Sequence, residues 1–432
     1  MRRDGVGMSG TSTQALRRQH EPAGQRSVRR QNLRLVLREV VENGPRSRAG
    51  IAEAVGLTKS TVSSLVGELM ARGLLSEQGR EPGGSVGRPG RLVALSDTTV
   101  VALGLEINVD YLAASVLDLN GRVRFERFLR HENRGAPVGQ VLDALSALGR
   151  TALETVESEG LVSVGATVAA PGLVDVESGR LLAAPNLGWS PTPLRETVMD
   201  GLGRPHLYVT ADNEANLAAL GELWEGRGRR WRDFVHISGE IGVGGAIVVD
   251  GELLRSGTGM GGELGHLIVD PDGPPCPCGS RGCLERIVGL EALLNAAGVE
   301  TEEVGTSIGL PDGGVRLLME RAAGGDRRTL DALADAGRVL GVACATAVNL
   351  IAPNTVVLGG IYAPLFPWLI RPLREELDRT AFLTRYAQVS VVQSELGAAA
   401  AVRGAASLTL RAVCDDPYLV GSSRAQEAIA GG

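Results

Sequence analysis

Hydrophobic positions near the N-terminus recur at the spacing of an α-helix. From residue 31 the apolar side chains stand three or four positions apart, until Asn43-Gly44-Pro45 ends the pattern. Ser47 is placed to open a short helix, and Thr58 is placed to cap a longer one with its own apolar stripe. Two short strands around a tip rich in Gly, Pro and Arg follow, as in a hairpin. This order of elements predicts a winged helix-turn-helix over residues 29–95.

After residue 96 strands and helices alternate, which is typical of an α/β fold. Asn120-Gly121 predicts a hairpin between two strands, and a helix is expected near residues 138–158. The chain after residue 96 is long enough for two lobes. The predicted segments are a disordered basic tail at 1–28, a first lobe at 96–225, a second lobe at 226–412 and a flexible C-terminal tail at 413–432.

Charge is distributed unevenly along the chain. Residues 1–95 contain 16 basic and 8 acidic side chains, whereas the remainder contains 28 and 42. A basic head on an acidic body indicates nucleic-acid binding. A small helical domain that only mediates dimerisation is the alternative. Because such heads meet base edges through the recognition helix and phosphates through the wing, the candidate DNA-contacting residues are Lys59, Ser60, Ser63, Ser64, Arg88 and Arg91.

The composition of the chain indicates the cellular compartment in which the protein is found. Hydrophobic residues make up 44% of the chain, but no apolar run approaches the roughly 18–20 residues of a membrane span. The basic N-terminus has no apolar segment behind it, which argues against a signal peptide. Five cysteines are a sparse and odd number for a disulfide framework. These features predict a cytoplasmic globular protein.

Three of the five cysteines stand in one short loop, CPCGSRGCLE, at residues 276–285. Three thiolates supply soft metal ligands, and zinc requires a fourth. The nearest histidine upstream completes a closed Cys3His set, so we predict structural zinc on His266, Cys276, Cys278 and Cys283. Redox chemistry at the cluster is the alternative. Cys344 and Cys414 stand in apolar helical contexts and are expected to be core residues.

The motif H-x9-C-x-C-x4-C, with E-x-x-H before it, resembles the ROK (repressor, open reading frame, kinase) family in its DNA-binding branch. The resemblance extends from the helix-turn-helix to the last helix near residues 400–411. It implies a two-lobed, ribonuclease H-like fold of the actin and hexokinase type. It also implies a sugar in the cleft between the lobes and zinc on the four ligands named above.

The same resemblance assigns sugar-contacting positions. In ROK sugar kinases the glutamate of E-x-x-H and the glutamate after the last zinc cysteine contact sugar hydroxyls, which implies this role for Glu263 and Glu285. Carboxylates and amides are groups that bind vicinal hydroxyls, and zinc would stiffen the loop that carries two of them. The implied sugar-binding residues are Gly172, Asn186, Asn213, Glu214, Glu263, His266 and Glu285.

Three positions on the phosphate side depart from the ROK kinases. The Asp-Gly-Gly-Thr-like turn is replaced by Glu106-Ile107-Asn108-Val109-Asp110, which lacks the glycine pair. Gly239-Glu240-Ile241 places a carboxylate where a hydroxyl meets a phosphate. The position of the catalytic aspartate holds Glu214, whose extra methylene displaces the carboxylate. These departures predict a pocket that binds sugar without phosphorylating it, and no catalytic residue.

The sequence therefore predicts a sugar-responsive transcriptional regulator of the repressor type. It would bind palindromic operator DNA as a homodimer or homotetramer, because two-fold protein symmetry maps onto paired half-sites. Two alternatives stay open. One is an active, ATP-dependent sugar kinase that also binds DNA, and the other is a module controlled by a protein partner rather than by a free sugar.

Overall fold

A computed structural model describes residues 25–80, 91–204, 207–226, 231–255, 261–299 and 313–420. The N-terminal part, residues 25–95, is called the head. Its helices are α1 (Gln25–Asn43), α2 (Arg48–Val55) and α3 (Lys59–Ala71), and its strands are β1 (Arg46–Ser47), β2 (Leu75–Arg80) and β3 (Arg91–Leu95). The strands pair antiparallel in the order β1-β3-β2. The three helices, the turn and the hairpin are those of a winged helix-turn-helix, as predicted.

The helix caps of the head are where the sequence placed them. The Ser47 side chain accepts a hydrogen bond from Gly50 N, and the Thr58 side chain accepts one from Thr61 N. Helix α1 begins earlier than predicted, at Gln25, so residues 25–28 are helical rather than part of a disordered tail. An ion pair between Arg29, just after these residues, and Glu68 of α3, at 2.6 Å, ties the N-terminal part of α1 to α3. The rest of the predicted N-terminal tail, like the tip of the wing with Arg88, lies outside the described residues.

The first lobe, called the N-lobe, is built on a five-stranded sheet of order β10-β7-β4-β5-β6. Its strands are β4 (Val100–Ile107), β5 (Tyr111–Asp118), β6 (Val123–Arg130), β7 (Val162–Ala170) and β10 (Tyr208–Asn213), with a small hairpin of β8 (Leu173–Asp175) and β9 (Arg180–Ala183). Strands β4, β5 and β6 are antiparallel, whereas β7 and β10 add in parallel. Helices α4 (Val138–Ser158) and α5 (Leu194–Leu202) pack on one face and bury its apolar side chains.

The second lobe, called the C-lobe, repeats this topology. Its sheet has the order β13-β12-β11-β14-β15, antiparallel among the first three strands and parallel beyond β11. The strands are β11 (Phe234–Gly239), β12 (Val243–Val249), β13 (Glu252–Leu253), β14 (Thr355–Gly360) and β15 (Ser390–Gln393). The helices that follow β13 are α7 (Glu285–Val288), α8 (Leu290–Ala297), α9 (Gly313–Ala323), α10 (Arg327–Ile351) and α11 (Tyr362–Thr380). Most of these helices bury one face of the sheet.

Two helices lie between the sheets of the lobes. Helix α6 (Glu214–Trp224) packs against the C-lobe sheet, and α12 (Ala400–Asp415) packs against the N-lobe sheet. The two helices contact each other at glycines: Gly404 lies against the backbone of Leu217, and Gly221 lies against the backbone of Ala400. Although α12 follows the C-lobe in sequence, it packs on the N-lobe sheet, so the predicted second lobe at 226–412 includes most of a helix that belongs to the N-lobe in space.

The segment after residue 412 is ordered rather than a flexible tail up to residue 420. Helix α12 ends at Asp415 and a short 3-10 turn follows at Pro417–Leu419. Val413, Cys414 and Val420 are buried in the same apolar cluster as the core of the head. The prediction of a flexible tail was wrong for residues 413–420, because their apolar side chains pack against the head, which is distant in sequence. Residues 421–432 lie outside the described residues.

Polar contacts reinforce this junction between head and body. The Arg30 guanidinium binds both carboxylate oxygens of Asp416, with Nε to Oδ1 at 2.7 Å. Arg34 of the same helix pairs with Asp415 at 2.8 Å. Arg72, at the end of the recognition helix, donates to the Val420 carbonyl at 2.8 Å. The head is therefore held by the end of α12.

Helix α10 has the length and apolar composition of a membrane span, and no other helix of the described ranges does. Its apolar face packs against α11, α8 and the C-lobe sheet, and its opposite face carries charged side chains. This is the arrangement of a core helix in a globular lobe.

Candidate functional site

One cleft between the lobes brings together all seven residues predicted to contact sugar. From the N-lobe side come Gly172 after β7, the turn that carries Asn186, and the junction of β10 and α6 with Asn213 and Glu214. From the C-lobe side come the 3-10 turn at Leu264–His266, with Glu263 before it, and Glu285 at the start of α7. Residues more than 110 positions apart in sequence therefore face one space.

The floor of the cleft is held by the N-cap of α6. Asn213 Oδ1 accepts hydrogen bonds from Ala215 N and Asn216 N at 2.9 and 3.2 Å, and its Nδ2 donates to the Gly172 carbonyl at 2.8 Å. Gly172 has φ +102°, and a Cβ there would lie 2.9 Å from Ala184 Cα, so only glycine fits. The Asn213 side chain therefore holds the backbone that forms the floor of the cleft. One of its two Nδ2 hydrogens is not used in these bonds and could be donated to a ligand.

Asn186 and Glu285 approach each other from opposite lobes. A Cβ added to Gly242 would lie 2.7 Å from Asn186 Nδ2 and 2.8 Å from Glu285 Oε2. The bare backbone of Gly242 therefore leaves both polar groups open to the cleft. An amide and a carboxylate side by side form a donor and acceptor pair of the kind that binds adjacent hydroxyls.

A cross-lobe ion pair behind the cleft was not predicted from the sequence. Asp212, which is 1% exposed, binds the Arg255 guanidinium through both carboxylate oxygens. Arg255 follows β13 of the C-lobe, whereas Asp212 is the penultimate residue of β10 in the N-lobe. Neither position stands out by spacing, because the pairing depends on where the two sheets meet.

The predicted metal ligands form one cluster. The ligand atoms of His266, Cys276, Cys278 and Cys283 lie within 4.8 Å of one another, so the four residues can hold a metal ion. Cys278 Sγ and Cys283 Sγ are 3.7 Å apart, too far for a disulfide. A tetrahedral ion with metal–sulfur bonds of about 2.3 Å separates its sulfur ligands by about 3.8 Å. The observed spacing fits such an ion.

The cluster is joined directly to the cleft. Cys276 Sγ lies 3.9 Å from His266 Nδ1 and 3.0 Å from Glu285 Oε1. His266 and Glu285 both line the cleft, so the loop that carries the metal ligands also fixes two of its walls. The other two cysteines, Cys344 and Cys414, are buried among apolar side chains, in agreement with the prediction that they belong to the core.

The head presents the predicted recognition residues to solvent. The exposed side chains in the N-terminal half of α3 are Lys59, Ser60, Ser63 and Ser64. Arg91, on the wing strand β3, is also exposed, although Glu77 binds its guanidinium at 2.6 Å. The apolar stripe of α3 faces the core of the head, so the helix is free to enter a groove with its polar face.

The profile of the ROK family matches residues 102–412, and the profile of the MarR family matches residues 34–84. The first match covers more than two thirds of the chain. The chain belongs to the ROK family.

Relatives in this family include regulators that align over both the head and the body. The chain is 29% identical over 388 residues to a xylose repressor from Caldicellulosiruptor bescii, with 88% of this chain and 95% of the relative covered. It is 29% identical over 391 residues to a xylose repressor from Bacillus subtilis, with 90% and 97% covered.

Solved ROK structures show the same fold. A ROK family transcriptional regulator, a homologue of the E. coli MLC protein, aligns with a TM-score of 0.74 at 24% identity, covering 94% of this chain and 100% of that chain. A ROK family glucokinase from Streptomyces griseus, solved with glucose and AMPPNP, aligns with a TM-score of 0.60 at 29% identity, covering 71% and 98%. The predicted architecture, a winged helix-turn-helix followed by a two-lobed ROK domain, is confirmed.

Three carboxylates from the segments that the sequence comparison assigned to the phosphate side cluster in the structure. Glu106, Glu214 and Glu240 line one small cavity next to the sugar cleft. Glu106 is 2% exposed; its Oε1 accepts from the Tyr111 hydroxyl at 2.7 Å, and its Oε2 has no partner among the described residues. Burial raises the pKa of Glu106 to about 7, and burial together with Glu106 and Glu263 raises the pKa of Glu214 to about 8. A phosphate group in this cavity would lie among three acidic side chains.

Proposed function

We propose that this ROK protein is a cytoplasmic, sugar-responsive transcriptional repressor with an effector domain that no longer phosphorylates. One observation carries the proposal: the cleft has converging groups for sugar hydroxyls, whereas its phosphate side holds three carboxylates and no exposed glycine pair at residues 106–110. The head supplies the DNA-binding surface through the exposed residues of α3 and the wing. Close relatives over the same two parts are named xylose repressors.

The sugar-binding set in this proposal is the one that lines the cleft, with the Asn186 amide as the donor and the Glu285 carboxylate as the acceptor of the pair between the lobes. Glu263, Glu214 and His266 would bind further hydroxyls, and Asn213 would position Glu214 at the start of α6. A ligand held from both lobes favours the closed form, because only that form provides all contacts at once.

Zinc is the ion that best suits the cluster. Three thiolates and one imidazole form a Cys3His set with no open position, which is typical of structural rather than catalytic zinc. The ion would hold the loop of residues 276–283 and, through Cys276 and His266, orient the neighbouring wall of the sugar cleft. Zinc would have a structural role here, because protein side chains fill all four coordination positions.

Coupling to DNA would pass through the two helices between the sheets. Glu214 stands at the first residue of α6, α6 packs along α12, and α12 ends where Arg30 and Arg34 of the head bind it. Lobe closure that shifts α6 would move α12 and with it the head. In a homodimer or homotetramer this changes the separation of two recognition helices, which a palindromic operator reads.

The proposal is tested by binding and turnover on the same purified protein. Thermal-shift screening against pentoses, hexoses and amino sugars should identify a stabilising sugar. Genomic fragments retained by the protein should then be released by that sugar, and ATP should not be consumed. If no sugar stabilises the protein, or retained DNA is unaffected by the sugar that does, the repressor proposal fails.

An active sugar kinase is the second candidate, favoured by the likeness to the glucokinase solved with glucose and AMPPNP. Glu214 occupies the position of the catalytic base and has a raised pKa, near 8. This candidate predicts sugar-dependent ADP formation that disappears in Glu214→Ala. Absence of turnover on every sugar that binds would eliminate it.

A further inference from the structure

The sugar cleft does not end at Asn186 and Glu285. These two residues also line a second cavity on the outer side, which has a volume of about 280 Å³ against about 70 Å³ for the inner cleft. The outer cavity is called the vestibule. Its N-lobe wall is formed by Arg134 and the turn at Pro185–Gly188, and its C-lobe wall by Ile241, Pro277 and Arg286.

Polar contacts hold the walls of the vestibule on the N-lobe side and across its opening. Arg134 of the N-lobe and Glu291 of α8 form an ion pair of 2.8 Å that spans its outer side. The loop that carries Arg134 is anchored by Asn133, which is fully buried and donates to the Asn108 and Tyr111 carbonyls at 2.6 and 3.0 Å. The walls therefore have fixed positions on both lobes.

The lining combines apolar surface with hydrogen-bonding groups. Pro277 and Ile241 offer apolar surface, on which the C–H face of a sugar ring packs. Arg286 is exposed, and no carboxylate of the described chain lies within ion-pairing distance of it, so its donors are available to hydroxyls. Glu285 and Glu291 supply acceptors in the same space.

The charges argue against an anionic substituent. Glu291 neutralises Arg134, and the negative charge of Glu285 offsets the positive charge of Arg286, so the vestibule has no net positive charge. A phosphate would lie near two carboxylates, whereas neutral hydroxyls can bind carboxylates and guanidinium groups alike. The chemistry therefore fits a second, uncharged sugar ring.

We propose that the effector is a neutral oligosaccharide of at least two units, with one ring in the inner cleft and the next ring in the vestibule. This inference rests on the proposed function, since it names the class of sugar that the same site takes. The linkage would pass between Asn186 and Glu285, the two residues that both spaces share.

Calorimetric titration of the full chain with xylose, xylobiose, glucose, cellobiose and maltose tests the inference. At least one disaccharide should bind about tenfold tighter than its monosaccharide. Arg286→Ala should weaken the binding of that disaccharide by about tenfold and change the affinity for the monosaccharide by no more than about twofold. The reason is that only the second ring reaches the guanidinium. Arg281→Ala, an exposed arginine of the same loop outside the vestibule, is the matched control and should change neither affinity.

The outcomes separate the inference from the proposed function. If monosaccharides bind and no disaccharide binds more tightly, or Arg286→Ala weakens both equally, the second-ring site is refuted and the sugar-responsive function stands. A sugar phosphate that binds more tightly than every neutral sugar would also refute it. If no saccharide of either length binds, the proposed function itself fails.

Discussion

Replacing Gly404 by alanine should loosen the contact between α6 and α12. A Cβ at this position would overlap the Leu217 carbonyl oxygen and would lie 2.7 Å from the Leu217 carbonyl carbon and 2.9 Å from Gly221 N, whereas ordinary contacts begin at 3.4 Å. Relieving the contact with the carbonyl carbon alone would require a separation of about 0.7 Å, and the overlap with the carbonyl oxygen requires more. The obstructing atoms are backbone, which cannot rotate away. Overpacking of this kind typically costs about 1–3 kcal/mol.

The consequences should reach both ends of the helix pair. Since α6 begins at Glu214 in the cleft and α12 ends at the head, Gly404→Ala should lower the melting temperature by a few degrees. It should also reduce the effect of sugar on DNA affinity. Gly139→Ala, in the exposed first turn of α4 with no atom within 4 Å, is the matched control and should be neutral or slightly stabilising.

Differential scanning calorimetry and operator-binding titrations with and without sugar measure the two effects. A Gly404→Ala protein with the melting temperature and the full sugar response of the wild type would refute the role of this contact. Loss of stability with full sugar response would refute only the coupling through α12.

Three further predictions concern the metal loop, the cleft and the head. Cys278→Ser should lower bound zinc, measured by atomic absorption, and weaken sugar binding by about tenfold, whereas Cys344→Ser should keep its zinc; full zinc in the first variant would contradict the ligand assignment. Because the folded pKa of Glu214 is about 8 and its ordinary value is 4.5, the folded state retains a proton that the unfolded state loses between these values. The stability that this group contributes is therefore complete below pH 4.5 and declines up to pH 8, so the melting temperature of Glu214→Gln should rise relative to wild type between pH 5.5 and 8.5; parallel curves would contradict the raised pKa. Lys59→Ala should weaken operator binding and reduce the slope of log affinity against log salt by about 1, and an unchanged slope would remove Lys59 from the interface.

The metal loop could be predicted from the sequence because its ligands are close together along the chain. The metal loop lies within 18 residues, from His266 to Cys283, and its spacing alone indicates the ligand set. The caps at Ser47 and Thr58 and the hairpin at Asn120-Gly121 are also local, since each depends on side chains within a turn of the backbone. The sugar residues were carried by family motifs, and the structure brings them to one cleft; their binding roles stay predictions.

The contacts that join the parts of the molecule could not be predicted in this way. Arg30 and Asp416 are 386 residues apart, and nothing in either local sequence indicates the other. An apolar helical pattern shows that α12 has a buried face, but not that the face packs on the N-lobe sheet rather than on the preceding C-lobe. The vestibule likewise depends on how two lobes meet, so it appears only when Arg134 and Glu291 are placed in space.

Reciprocal titration tests the central claim most directly. The most stabilising sugar is titrated into the full protein, once alone and once saturated with its operator. Linkage requires that the factor by which sugar weakens DNA binding equals the factor by which DNA weakens sugar binding. We predict sugar affinity about 5- to 100-fold lower in the DNA complex, and identical affinities in the two titrations would contradict the account.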